Sequence, residues 1–219
     1  EALRIRSEEE LPVYERLGDV REKAVTQGKI ADILQSRGDL DEALRIRSEE
    51  QLPVYERLGD VRSEAVTQGK IADILQSRGD LDEALAVHEQ RLPIAQRMGD
   101  IESLAHIRYS TAQLRLQRGE HKTGGIQKIH DELAEAFAIS VKLERPDAIG
   151  AIGRLFAQVL AMGGDHEQAL EVLDQTEAAY KRLNDKSALM AIHELRALLP
   201  STLVGGDLTV AEMRERDLL

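Results

Sequence analysis

Residues 1–41 read EALRIRSEEELPVYERLGDVREKAVTQGKIADILQSRGDLD, and residues 42–82 read EALRIRSEEQLPVYERLGDVRSEAVTQGKIADILQSRGDLD. Only three of the 41 positions differ, Glu10/Gln51, Glu22/Ser63 and Lys23/Glu64, and all three changes are polar. A repeat of this length marks a stack of supersecondary units, each unable to bury its apolar face alone. What one copy forms therefore decides the fold.

In the first copy, Ala2, Leu3, Ile5, Leu11, Val13, Tyr14 and Leu17 follow a roughly helical spacing, interrupted by the polar run Arg6 to Glu10. Gly18-Asp19 then stops one helix and opens the next, with Gly as C′ residue and Asp near the N-cap. The pattern predicts helices over 20–37 and 40–58, the first buried through Ala24, Ile30, Ala31, Ile33 and Leu34. Gly38-Asp39 and Gly59-Asp60 end them. There is no strand signal.

Leu-Pro recurs at 11–12, 52–53 and 92–93, well inside the second helix of each hairpin. Proline there removes a donor and crowds the carbonyl four residues back. The helix either kinks or ends and restarts. We favour the kink, because Val54, Tyr55 and Leu58 continue the apolar stripe. The third copy diverges but keeps register. Gly18 to Gly59 spans 41 positions and Gly59 to Gly99 spans 40, one residue being lost where Arg45–Gln51 becomes Ala86–Arg91.

Further helices are expected over 81–98, 101–118 and about 126–143, the last after a lengthened turn at Gly119–Gly125. Arg145-Pro146-Asp147 replaces the Gly-Asp turn, with Asp147 expected as N-cap. The next helix should run to about Met162. Gly163-Gly164-Asp165 restores the pattern, a helix ends at Leu183-Asn184-Asp185, and a last one spans about 187–199. Residues 1–199 thus read as a repeat array of four and a half to five hairpins, the first truncated. Residues 200–219 read as a loop and a short helix that caps the array.

The chain has 219 residues, 42% of them hydrophobic but only 3% aromatic and none Trp, so the core must be aliphatic and Ala-rich. A formal net charge of −11 argues against the phosphate-neutralising surface of a nucleic-acid binder and against an anionic membrane. No apolar run approaches a membrane span. With no Cys, disulfides and thiolate metal sites are excluded, which suits a cytoplasmic protein. The chain begins at Glu1 inside a repeat, and we read it as a fragment of a longer protein.

The runs Ala31…Leu34…Gly38…Ala43 and Ala72…Leu75…Gly79…Ala84 resemble the tetratricopeptide repeat. Ala112…Leu116…Gly119 and Ala157…Leu160…Gly164…Ala169 continue the resemblance, as does Gly-Asp-Leu-Asp-Glu-Ala-Leu at each turn. The 40–41-residue period is similar to a longer subclass of that family. Two departures stand out: Pro lies inside the second helix, and Arg47 and His88 occupy places where large aromatics are expected. The resemblance implies an all-α, right-handed superhelical solenoid of stacked antiparallel helix hairpins, with first helices on the concave side.

No catalytic arrangement can be defended. The six His (88, 106, 121, 130, 166 and 193) form no ligand pair and read as surface or partly buried residues. Lys122-Thr123-Gly124-Gly125 reverses the order of a phosphate loop and follows no strand. The Glu-rich runs read as solvated faces paired with Arg4, Arg6, Arg45 and Arg47. No metal or cofactor is expected, and the chain is read as a non-enzyme.

The candidate site is the concave groove that the resemblance implies. In the duplicated copies it is lined by Gly28, Asp32, Gln35 and Ser36, then Gly69, Asp73, Gln76 and Ser77. Later come His106, Tyr109, Gln113 and Gln117, then Arg154 and Gln158. Asp32 and Asp73 should stand one above the other. Asp and Gln suit a peptide or a partner domain. The expected role is a non-catalytic interaction scaffold. The alternatives are a sensor segment of a larger bacterial signalling or defence protein, or an assembly module that self-associates head to tail through its bare N-terminal helix. No nucleic-acid or membrane partner is expected.

Overall fold

The computed structural model describes residues 1–199 and contains, among them, ten helices and no strand. They are α1 (2–17), α2 (Val20–Arg37), α3 (40–58), α4 (Val61–Arg78), α5 (Leu81–Met98), α6 (Ile101–Gln117), α7 (Ile126–Lys142), α8 (Pro146–Met162), α9 (His166–Leu183) and α10 (Lys186–Leu198). The pairs α2/α3, α4/α5, α6/α7 and α8/α9 are the hairpins. The loop and capping helix expected over 200–219 lie outside the described residues.

The Gly-Asp dipeptide closes one helix and, at several turns though not at Asp39, caps the next through the Asp side chain. Gly18 and Gly38 adopt φ of 68° and 87°, a left-handed conformation that side chains resist. This lets the following Asp19 and Asp39 amides donate to Tyr14 O and Leu34 O, closing the helix. Asp19 then opens the next helix, its carboxylate accepting from the Glu22 amide at 3.0 Å. Asp60, Asp100, Asp165 and Asp185 cap α4, α6, α9 and α10 in the same way. Asp147 does not. The N-cap of α8 is Arg145, because Pro146 fits the first helical position, where its missing N–H costs nothing, and holds the preceding residue extended (φ −93°, ψ 94°). Asp147 instead sits in the first turn and pairs with Arg145 at 2.7 Å.

The internal prolines neither end nor restart the helix. In α1 and α3 the stretches Ile5–Glu10 and Ile46–Gln51 are π-helical, and α-helix resumes at Leu11 and Leu52. The Leu11 amide reaches back to Arg6 O and the Leu52 amide to Arg47 O, five residues away. In α5, which lacks one residue in this stretch, Pro93 lies within an uninterrupted α-helix. The extra residue of the 41-residue period is therefore stored as a widened turn.

The chain divides into two compact units, Glu1–Ile94 and from Ala95 onward. The first has small aliphatic cores: Ile30, Ala31, Ala43, Ile46 and Ile74 with Leu3, Leu34, Leu40 and Leu44 against them, and Ala24 with Val54 and Tyr55. The second has one broad cluster, from Ala112 and Ile129 through Phe137, Ile152, Phe156 and Leu173 to Ile192 and Leu195.

Candidate functional site

The face of each first helix that turns away from its hairpin core carries the candidate residues. In the first unit, α2 presents Asp32, Gln35 and Ser36, and α4 presents Asp73, Gln76 and Ser77; none of the six is fully buried. Gly28 and Gly69 are not groove residues. Both are buried, because each admits a long polar side chain from the second helix of its own hairpin. A Cβ on Gly28 would stand 2.2 Å from Gln51 Nε2, and one on Gly69 2.9 Å from an Arg91 guanidinium nitrogen.

Beneath the face lies a buried polar layer. Arg47, only 3% exposed, donates to Gln51 Oε1 at 2.9 Å and to Asp32 Oδ1 at 2.6 Å. Burial pushes the Arg47 guanidinium down from its ordinary range, and the carboxylates of Asp32 and then Asp73 oppose this. Arg47 is thus not on a solvated charged face, unlike Arg4, Arg6 and Arg45, which pair with nearby glutamates. In the next hairpin His88, fully buried rather than at the surface, accepts from Arg91 at 3.1 Å. Arg47 and His88 therefore fill with polar atoms the places where aromatics were expected.

Identical sequence does not make Asp32 and Asp73 equivalent. Asp32 is the counter-ion of Arg47 and lies 3.8 Å from Lys70 of α4, a contact between successive repeats. Asp73 makes no ion pair among the described residues. The hydroxyls of Ser36 and Ser77 bond back to Ile33 O and Asp73 O, so their protons are committed. Sequence reading passed over Lys29, Val66 and Lys70. All three are exposed, and stepping back three and seven residues from Asp32 or Asp73 would have found them. Val66 is 58% exposed.

In the second unit, α6 presents His106, Tyr109, Gln113 and Gln117, and α8 presents Arg154 and Gln158. His106, Gln117 and Arg154 are exposed and the other three half-buried. The Tyr109 hydroxyl accepts from Gln113 Nε2 at 3.0 Å. Burial pushes the Tyr109 phenol up, and the Arg154 charge opposes it; the Tyr180 phenol of α9 behaves alike. Sequence reading missed Tyr180 because it belongs to a second helix, outside the face considered. No cluster of potential metal ligands occurs among the described residues, and no described helix is long and apolar enough to cross a membrane.

Stacked helical hairpins with an accessible polar face on the first helices define a helical-repeat protein. Residues 22–97 match the family model of the tetratricopeptide repeat. The fold is shared with solved structures at low identity. A Rap protein complexed with Competence and Sporulation Factor superposes with a TM-score of 0.67 at 17% identity, over 81% of this chain and 48% of that one. The chain thus spans about half the length of that protein. BtubC (BKLC) from P. vanneervenii gives 0.61 at 18% identity, covering 95% of each chain. The nearly identical TPR-like repeats of a kinesin light chain from Podosopora anserina give 0.57 at 18%, over 80% and 93%. No curated protein matches the chain in sequence.

Proposed function

We propose that the chain is a non-catalytic interaction module that binds a peptide or partner domain on the first-helix faces of its units. One observation carries this reading. Within each unit taken by itself, the candidate residues on the first helices are exposed or half-buried, whereas Ile30 and Ala31 in the first unit and Ala112 in the second are buried in the cores. Tetratricopeptide repeats and a fold shared with the Rap protein complex support it. The test is partner capture from the native host by immobilised chain, wild type against Asp73→Lys and against Arg154→Gln. Asp32 is left intact because it balances a buried charge. Loss of specific partners with an unchanged melting temperature is the expected result; identical capture by all three chains sinks the reading.

A second reading, self-association, rests on one comparison. Val13 is 39% exposed and Leu17 72%, whereas Val54, the same residue in the second copy, is 8% exposed beneath Ala24 of α2. The face of α1 is complementary to a first helix, and a second copy of the chain supplies one. Sedimentation should show a concentration-dependent dimer that Val13→Glu abolishes. A strict monomer at high concentration removes this reading.

A further inference from the structure

We propose that Glu132 is a proton-binding latch in the second unit, holding the α6/α7 hairpin shut while it carries a proton and loosening it when the proton leaves. The residue sits on the core side of α7, beside the fully buried Ile129 and Leu133, and is itself 8% exposed. One carboxyl oxygen is served: Oε1 accepts from Arg115 Nε of α6 at 3.2 Å. The other, Oε2, is buried and has no partner among the described residues. A buried oxygen without a donor costs free energy, and most when it carries charge. The Thr111 hydroxyl of α6 is close by. Its one proton goes to Arg108 O at 2.9 Å, so its oxygen is left to accept. A protonated Glu132 can donate there, whereas an ionised one finds no proton.

The surrounding charges favour the same form. Arg115 is the buried cation of the group, and its Nη1 also donates to Glu120 Oε2 at 3.0 Å. Glu120 thus already balances it, and a second ionised carboxylate leaves the interior with excess negative charge. Arg118, 2.7 Å from Glu120, is one-third exposed and spends its charge near the surface. Lys128 acts on Glu132 from the exposed side of α7, and the turn adds the exposed Lys122 and the half-buried His121. Other nearby charges are paired off, Arg108 with Glu135 and Asp131 with His130. On α8, the other helix against α7, the charged residues are Asp147, paired with Arg145, and the exposed Arg154. Burial accordingly raises the Glu132 carboxyl above its ordinary 4.5, against the pull of Arg115. Glu120 in turn shapes the connection between the helices, since its carbonyl takes the Thr123 and Gly125 amides. One guanidinium therefore ties the proton site to the turn. The folded hairpin holds this proton to a higher pH than the unfolded chain does. Its contribution to stability is full below about pH 4.5 and is lost as pH rises through the folded midpoint.

The test uses the intact chain, from about pH 4 to about pH 8. It follows the carbon-13 signal of the Glu132 carboxyl and the hydrogen exchange of amides over 126–135, corrected for intrinsic exchange. The Glu132 midpoint should lie above 4.5. The opening constant of these amides should grow with pH, by up to about tenfold per pH unit while Glu132 loses its proton. Glu132→Gln stays neutral and should keep the low-pH opening constant throughout. Glu120→Gln should lower the Glu132 midpoint, because Arg115 is then left for Glu132 to balance. If Glu132→Gln fails to fold, the wild-type titration and Glu120→Gln decide the matter. A Glu132 midpoint at or below 4.5, the same pH dependence of opening in wild type and Glu132→Gln, or an unchanged midpoint in Glu120→Gln overturns the proposal.

Discussion

Arg47 and Asp32 form an asymmetric pair: the guanidinium side chain is 4% exposed and the carboxylate 52%. Removing the buried partner leaves Asp32 in water, whereas removing the exposed one leaves a charge in the interior. Asp32→Asn should therefore destabilise the first unit by about 2–3 kcal/mol, and Arg47→Met by less than about 1 kcal/mol, read as shifts of the urea midpoint. Equal losses would contradict this account of the layer. The pair at the start of α8 works at the surface. Hydrogen bonds from Arg145 hold the Asp147 carboxyl down at about 2, against an ordinary 3.8. A depressed carboxyl contributes stability above its unfolded value and loses it as pH falls through the folded one. The contribution here is present above about pH 4 and gone below about pH 2. Because both side chains are roughly half exposed, it amounts to a few tenths of a kcal/mol. The carbon-13 titration of Asp147 should have its midpoint near 2 and move towards the ordinary value in Arg145→Gln.

At the scale of the helix, the widened turns of α1 and α3 give a direct prediction. Their hydrogen bonds reach five residues back instead of four, a poorer geometry. Amides over 46–52 should exchange faster than the matching amides over 86–92 of α5. Deleting Ser48 should remove the π turn and slow exchange to the α5 level. Persistence of the π turn in that variant would show that the proline, and not the extra residue, creates it. The helices themselves were legible because 3.6-residue periodicity and Gly-Asp turns are local signals. So was the missing residue near Ala86. Its consequence was not, since nothing in the spacing shows that the longer copies store their extra residue as a widened turn. The start of α8 differs from the expectation for a similar reason: an acid near a helix start looks like a cap, but Pro146 fixes the boundary two residues earlier, with Arg145 as N-cap. The candidate site was legible as a set of positions and not as a network. Arg47 and Gln51 lie on a second helix, and nothing in their spacing shows that glycines at 28 and 69 leave room for long polar side chains.

At the scale of the molecule, the two units hold themselves together differently. The first relies on small aliphatic cores with buried Gln, Arg and His between them, the second on one continuous cluster with two Phe and a Tyr. In an array whose units contact only neighbours, stability is a local sum and need not be uniform. Native-state hydrogen exchange in increasing denaturant should therefore open 20–80 before 129–195. A single transition with the same free energy throughout would show that the chain behaves as one cooperative block. The π turn has a further consequence at this scale. One codon more or less, placed between Arg45 and Leu52, changes the repeat period without altering the Gly-Asp joints on either side. The helix takes up the difference as a slack loop in a rope takes up spare length between fixed knots. An array built from such units can gain or lose residues inside its second helices while its chain of turns, and the first helices hung between them, keep their spacing.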